Sequence, residues 1–492
     1  MSVLVIDAGT TGVTALVVGA DTEVLSRGYR EFPQHFPHTG WVEHQPSEIW
    51  AATLDAARDA LNGSPIAPAC LGITNQRETV VLWDRDTLGS PRPAIVWQDR
   101  RTAGMCEQLR QDGHEQVVRQ TTGLRLDPYF SATKLAWIRT NEPHIWSGVA
   151  GGQVAAGTID SYLIARMSRG VHHITDPTNA SRTLLYDIHR GAWSPELCSL
   201  FGVPMDALPT VVPSYGHLAR TDPSCFLGLD LPITGIAGDQ QAALFGQCAI
   251  TPGDAKCTYG TGSFVLVNTG AEAVGSDAGL LTTVAYGRPD GSLTYALEGS
   301  VFVTGAAIQW LRDGLGVIDT APDVNELAAS VPDAGGVVFV PALTGLGAPD
   351  WDPTARGAVV GITRGTTSAH LARATLDAIA FQVRDVVDLM VAEASVSMPA
   401  LAVDGGAAAS DLLCQLQADQ LGVPVLRPAV IETTGLGAAF LAGLGAGVWA
   451  STDEVVSARR IERTFVPGSR DERTHRLWRA AVERAKGWAL ET

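Results

Sequence analysis

Three short polar clusters stand out in this chain because each interrupts an apolar run. The first is Asp239-Gln240-Gln241, inside GIAGDQQAALFGQ (235–247), at a junction between a strand-like stretch and a helix-like one. The second is Thr74-Asn75-Gln76-Arg77-Glu78, after Cys70-Leu71-Gly72-Ile73. The third is Asp127-Pro128-Tyr129-Phe130, ahead of a helix expected to begin near Ser131. Taken singly, Asp239 reads as a helix N-cap and Arg77-Glu78 as a surface ion pair. Taken together, they form a hydrogen-bonding set for a small polyhydroxy molecule. Arginine donates to a hydroxyl oxygen, glutamate and aspartate accept hydroxyl protons, and tyrosine does either.

A second kind of chemistry lies in two Gly-Thr turns. VLVIDAGTTGVTALVVG (3–19) and KCTYGTGSFVLVNTG (256–270) each read as a β-hairpin whose turn is rich in glycine and threonine. Such turns expose successive backbone N–H groups and hydroxyls, a nest for anions such as phosphates. Asp7 ends the first strand beside the first turn. A carboxylate facing phosphates needs a cation between them, which points to Mg²⁺. The chain has only three lysines (Lys134, Lys256, Lys486), none in a GxxxxGK[ST] pattern, so a P-loop is excluded.

The elements that position these residues follow from the spacing. A third segment, 401–428, reads as strand, Gly-Gly turn, helix and strand. The wide separation of the two hairpins suggests a duplicated α/β domain, divided at the Pro-Gly turn in GQCAITPGDA (246–255). The expected domains are 1–246 and 247–492. GLGAAFLAGLGAGVWA (435–450) is too short to span a membrane and predicts a tightly packed interior helix. Residues 451–492 predict a solvated terminal helix without function. With 492 residues, 46% of them hydrophobic, and a net charge of −17, the chain reads as globular and is repelled by nucleic acid and anionic membranes. Seven scattered cysteines without a CxxC pair, and an N-terminus lacking a basic leader, predict a reduced cytoplasmic protein without membrane insertion.

Longer motifs carry a family resemblance. Tyr129-x-Ser131-x-x-Lys134-Leu135-x-Trp137-Ile138 and GAVVGITRGTTSAHLARATLD (357–377) resemble the two signatures of the FGGY carbohydrate kinases. FPQHFPHTGWVEHQPSEIW, ITNQRET, IVWQDRRTA, DPTNASRTLL, AGDQQAALFGQ and GAAIQWLRD are similar to the glycerol-phosphorylating members, and the likeness runs over residues 3–450. The resemblance implies two duplicated actin-like (ribonuclease H-like) ATPase domains with the active site in the cleft between them. It implies ATP and Mg²⁺ as cofactors, glycerol as acceptor and sn-glycerol 3-phosphate as product, in a homo-oligomer (dimer or tetramer). By this likeness Arg77, Glu78, Tyr129, Asp239 and Gln240 bind glycerol, Trp97 and Phe264 pack on its carbons, and Asp239 is the catalytic base. Asp7 and Asp239 face the metal. Thr10, Thr11, Thr261, Gly305, Gln309 and Gly406 contact the nucleotide, and Gly12, Thr14 and Ser410 fall at nucleotide-side positions.

The departures lie on that nucleotide side. The family usually has Gln at Ala8, Ser at Gly12, Arg at Thr14, Asn at Cys257 and Ser410, and an aromatic at Asp350. Residues 214–231 lack the basic glycine-rich run through which some relatives bind fructose 1,6-bisphosphate. Two alternatives remain on the sequence alone: a kinase of another small polyol or triose such as dihydroxyacetone, or a weakly catalytic glycerol-binding regulator.

Overall fold

The apolar runs on either side of Gly9-Thr10-Thr11 pair as expected: Ser2–Ala8 and Gly12–Gly19 form an antiparallel hairpin that places Asp7 opposite Thr14. The structure is a computed structural model and describes residues 1–489. The hairpin is the centre of a six-stranded sheet. Its order is Tyr215–Arg220, Pro232–Gly238, Cys70–Asn75, Ser2–Ala8, Gly12–Gly19 and Val24–Glu31. Cys70–Asn75 runs parallel to both of its neighbours. That arrangement buries the four central strands on both faces and accounts for their nearly unbroken apolar reading.

The second hairpin, Ala255–Tyr259 with Ser263–Gly270, occupies the same place in a seven-stranded sheet. The order there is Leu281–Gly287, Leu293–Val301, Ser263–Gly270, Ala255–Tyr259, Leu401–Asp404, Val425–Pro428 and Ile461–Phe465. Ala255–Tyr259 pairs in parallel with Leu401–Asp404, as Ser2–Ala8 does with Cys70–Asn75. The two sheets thus repeat one topology, the duplication that the hairpin spacing suggests.

Strand alternation sends Leu4, Ile6, Val13, Ala15 and Val17 towards the helix Pro46–Gly63. Val3, Val5, Leu16 and Val18 face the other way, onto the helix Thr433–Ala446. That helix comes late in the chain yet packs on the first sheet and on the helix Asp239–Gly246. Its glycines permit the contact. A Cβ on Gly437 would lie 1.7 Å from the Ala242 carbonyl oxygen, and one on Gly72 of the sheet 2.5 Å from that of Ala438. The interior helix expected over 435–450 is therefore present, and Trp449 folds back edge-on against Phe440.

Residues 451 onward differ from the single solvated helix expected. They form the helix Thr452–Ala458, the edge strand Ile461–Phe465 and the helix Glu472–Ala485. The last helix buries Trp478, Ala481, Val482 and Ala485. Their i, i+3, i+4, i+7 spacing is an apolar stripe, which the abundance of Arg and Glu around it obscures.

Candidate active site

Asp239 is the first residue of its helix and follows directly on the strand Pro232–Gly238. Gly238, not Asp239, is the N-cap, so the capping reading fails. The carboxylate instead receives the Gln240 backbone N–H at 2.7 Å and lies 3.2 Å from Arg77 Nε. About a third of the side chain stays open, at 30% exposure. Burial of the remainder pushes its acid above the ordinary carboxylate value, against the pull of Arg77, the Gln240 amide and Lys256.

Arg77 and Glu78 are not a surface pair. Both are buried, at the end of Cys70–Asn75. Arg77 grips Glu298 with two hydrogen bonds, 2.6 Å and 3.2 Å. It also reaches Gln241 Oε1 at 3.2 Å and the Tyr129 hydroxyl at 3.4 Å. Glu78 holds a left-handed backbone (φ 61°) that few residues without a glycine's freedom adopt. Its carbonyl is fastened by the Ser131 hydroxyl at 3.0 Å, and its carboxylate by Arg182 Nε at 2.6 Å.

The Tyr129 loop is set by buried Lys134, whose ammonium donates to the carbonyls of Pro128, Tyr129 and Phe130. Asp127 accepts the Tyr129 backbone N–H at 2.9 Å. Trp97 lies edge-on to Tyr129, 5.5 Å between centroids, and donates its indole N–H to Thr10 Oγ1 at 2.9 Å. That bond ties the polar pocket to the first Gly-Thr turn. Phe264 is half-buried on the second sheet, just after the second turn and opposite Thr258. Gln240 is 8% exposed, and its Oε1 accepts from Lys256. Gln241 does more than begin the helix: besides bonding Arg77, it donates to Thr283 Oγ1 at 3.0 Å.

The two turns differ by one residue: four residues separate Ala8 from Val13, with Gly9 N–H bonding Gly12 O at 3.0 Å, and three separate Tyr259 from Ser263, with Gly260 N–H bonding Gly262 O at 2.8 Å. Thr11, Thr261, Gln309 and Gly406 are exposed, and Thr10 and Gly305 half-exposed. Gly305 docks its helix on the second turn, donating to Gly260 O at 3.0 Å. Gly12 is buried and Thr14 half-buried. Ser410 is buried and has a local role of its own. Its hydroxyl caps the helix Asp411–Leu421 by accepting Leu413 N–H, and spends its one donor on Asn325. Serine is a preferred N-cap residue, and capping explains why it stands there.

Asp7, at the end of the first strand, is strongly altered by its setting. Burial, and then the nearby Asp239 carboxylate, lift its acid to about 7. A pair of hard oxygen donors that repel each other is suited to a divalent cation. Among the described residues no group of three or more Asp, Glu, His or Cys side chains could hold a metal by itself. Two carboxylates completed by phosphate oxygens and water are the usual Mg²⁺ arrangement, so the residues present fit that ion.

Three residues of the site carry no sequence expectation: Arg182, Glu298 and Lys256, all fully buried. Glu298 had the clearest signal, as the lone acid in the apolar strand Leu293–Val301. A charge in such a run needs a partner.

Two repeated α/β sheets, each with its Gly-Thr hairpin, beside a cluster of buried Arg, Glu and Tyr side chains, fit the class of two-domain carbohydrate kinases. The chain belongs to the FGGY family of carbohydrate kinases: the model of the family's N-terminal domain matches residues 2–246 and that of its C-terminal domain residues 255–446. Among curated proteins it is 53% identical over 491 residues to a glycerol kinase of Aromatoleum aromaticum, covering 99% of each chain. It is 50% identical over 498 residues to one of Halorhodospira halophila, covering 100% of this chain and 97% of that one. Among solved structures it superposes on a Plasmodium falciparum glycerol kinase with ADP at TM-score 0.92, with 33% identity and 98% of each chain covered. A ligand-bound xylulose kinase of Lactobacillus acidophilus shares the fold, at TM-score 0.88 and 21% identity over 98% of this chain and 96% of that one.

Proposed function

We propose that the protein is an ATP-dependent glycerol kinase of glycerol catabolism, which transfers the γ-phosphoryl group of ATP to a terminal hydroxyl and yields sn-glycerol 3-phosphate and ADP. The observation that carries this reading is the meeting of Arg77 with Glu78, Tyr129 and Asp239, beside Trp97, whose ring packs on Tyr129 and whose indole N–H bonds the first Gly-Thr turn. Full-length identity to the glycerol kinases above supports it.

In this reading Arg77 and Gln240 donate to glycerol oxygens, Glu78 accepts a hydroxyl proton, and Trp97 and Phe264 pack on the carbons. Asp239 takes the proton of the attacking hydroxyl; a carboxylate whose acid is raised by burial is the stronger base. The Thr10–Thr11 and Thr261 turns hold the phosphates, and Gly305, Gln309 and Gly406 border the nucleoside. Asp7 and Asp239 would hold Mg²⁺, which when bound neutralises charge on the phosphate oxygens. The acceptor side then belongs to a domain of residues 1–246 and the adenosine side to one of 247–492, apart from the helix Thr433–Ala446, which covers the first sheet. Phosphoryl transfer asks chiefly for placement and charge stabilisation, and this arrangement supplies both.

A cytoplasmic homo-oligomer, dimer or tetramer, completes the proposal. All seven cysteines are unpaired, as a reducing compartment requires. Light scattering tests the oligomer. A coupled ADP-release assay across glycerol, dihydroxyacetone, glyceraldehyde and four- and five-carbon polyols tests the substrate. Glycerol should give the highest kcat/KM; a higher value for another acceptor, or no turnover with any, overturns the proposal.

A further inference from the structure

Arg182 follows the short helix Pro177–Ala180, and that helix is pinned to the acceptor strand. Asp176 accepts the N–H groups of Thr178 and Asn179, each at 3.1 Å. Asn179 Oδ1 in turn accepts from Asn75 Nδ2 at 2.9 Å, three residues before Glu78. Arg182 therefore enters the pocket from a fixed base. Its Nε donates to Glu78 Oε1 at 2.6 Å and its Nη2 to Glu298 Oε1 at 2.9 Å. Glu298 also holds Arg77, and Arg77 Nε lies 3.7 Å from Glu78 Oε1, so two arginines and two glutamates alternate in a buried ring closed by that ion pair. The guanidinium carbon sits 5.3 Å from the Phe130 ring centroid and 5.6 Å from that of Tyr129.

We propose that Arg182 is a positioning residue for the acceptor: it holds Glu78 by Oε1, so that Oε2 stands free to take a hydroxyl proton of the polyol. The inference rests on the acceptor role given to Glu78 above. Stability alone gives no reason for such a ring, because buried ion pairs are often replaced by apolar side chains without loss. Lysine cannot do the same work, since a single ammonium does not present two donors in the plane that spans both carboxylates.

Charge points the same way. The groups facing Glu78 are Arg77, Arg182, Glu298, Tyr129 and Lys134. Burial raises the Glu78 acid, and the two arginines hold it down. Without Arg182 it must rise further, so Glu78 becomes protonated, and a weaker acceptor, at a higher pH.

The test is steady-state kinetics of wild type, Arg182→Lys and Arg182→Gln between pH 5 and 9, with ADP binding measured to establish folding. In Arg182→Lys the KM for glycerol should rise roughly tenfold to a hundredfold, as for loss of a charge-assisted hydrogen bond. The KM for ATP should stay within about twofold, and the acid limb of kcat/KM for glycerol should move up by about one pH unit. Arg182→Gln should show larger changes in the same sense. Should the glutamine variant fail to fold, the lysine variant decides. An unchanged glycerol KM and acid limb in a folded variant overturn the inference. A wild type without glycerol-dependent ADP release overturns the proposed function, and this inference with it.

Discussion

Lys256 donates from its buried ammonium to the side-chain carbonyl oxygen of Gln240, and that contact decides what Gln240 offers to the cleft. An ammonium has three donors and no acceptor, so only the oxygen end of the amide can face it. The NH₂ end then faces away from Lys256 and, in the proposed function, is the end offered to glycerol. Lys256 is further held by Thr258 Oγ1 at 2.8 Å. Replacing Lys256 by Met should leave Gln240 without this partner and free to turn, a loss of about 1–3 kcal/mol. The KM for glycerol should rise about tenfold or more, with Lys256→Arg falling between. An unchanged KM for glycerol would show that Gln240 is oriented by something else.

Asp239→Asn tests the base. The amide keeps an acceptor oxygen but cannot take a proton at neutral pH. Turnover should vanish while glycerol binds within about tenfold of wild type, as read by calorimetry. Near-normal turnover would remove Asp239 from that role.

Glu298 tests the ring by stability. Burial alone would raise its acid, but Arg182 and Arg77 pull it down to about 2, below its unfolded value of 4.5. A depressed folded pKa stabilises fully above 4.5, and the contribution fades as pH falls towards 2. Glu298→Gln should therefore cost ~3–5 kcal/mol at pH 7. In denaturant titrations the gap to wild type should close as the pH is lowered through that window; a gap independent of pH would contradict the assignment.

Thr14 lies opposite Asp7 on one strand and opposite Tyr29 on the other. A guanidinium there would meet both the Asp7 carboxylate and phosphate oxygens of the nucleotide, with charge-assisted bonds of ~1.5–3 kcal/mol each. Thr14→Arg should raise kcat/KM for ATP by roughly tenfold to a hundredfold, at an unchanged KM for glycerol. Equal or lower efficiency at saturating glycerol would mean that another cation already serves the phosphates.

Much of this site was readable because its parts are local. Asp7 with its turn, Asp239-Gln240, and the Tyr129 loop with Lys134 each lie within a few residues of the element that holds them. The ring was not readable. Arg182 meets Glu78 across 104 residues and Arg77 meets Glu298 across 221, distances only the fold closes. Arg182 sits in the motif DPTNASRTLL without any local sign of its partners. Gly12 shows why a departure need not mean a lost contact. A Cβ there would lie 2.7 Å from the Arg30 carbonyl oxygen and 2.8 Å from the Tyr29 ring, so the neighbouring strand leaves no room for serine. The edge strand Ile461–Phe465 escaped because exposed edges are polar and charged, which hides the strand pattern.

The helix Thr433–Ala446 belongs to the earliest sheet but is among the last segments to be synthesised. At about 5–20 residues per second, the ribosome finishes the strands bearing Val3, Val5, Leu16 and Val18 tens of seconds before their cover emerges. Throughout that interval the nascent chain carries an uncapped apolar face, the kind of surface that holdase chaperones bind. Translation stopped at residue 246 leaves that face open permanently, so the N-terminal fragment expressed alone should collect in inclusion bodies. Adding the remainder as a separate polypeptide should rescue it only if both are made together. The first sheet therefore gains its full cover only once Ala446 has been made.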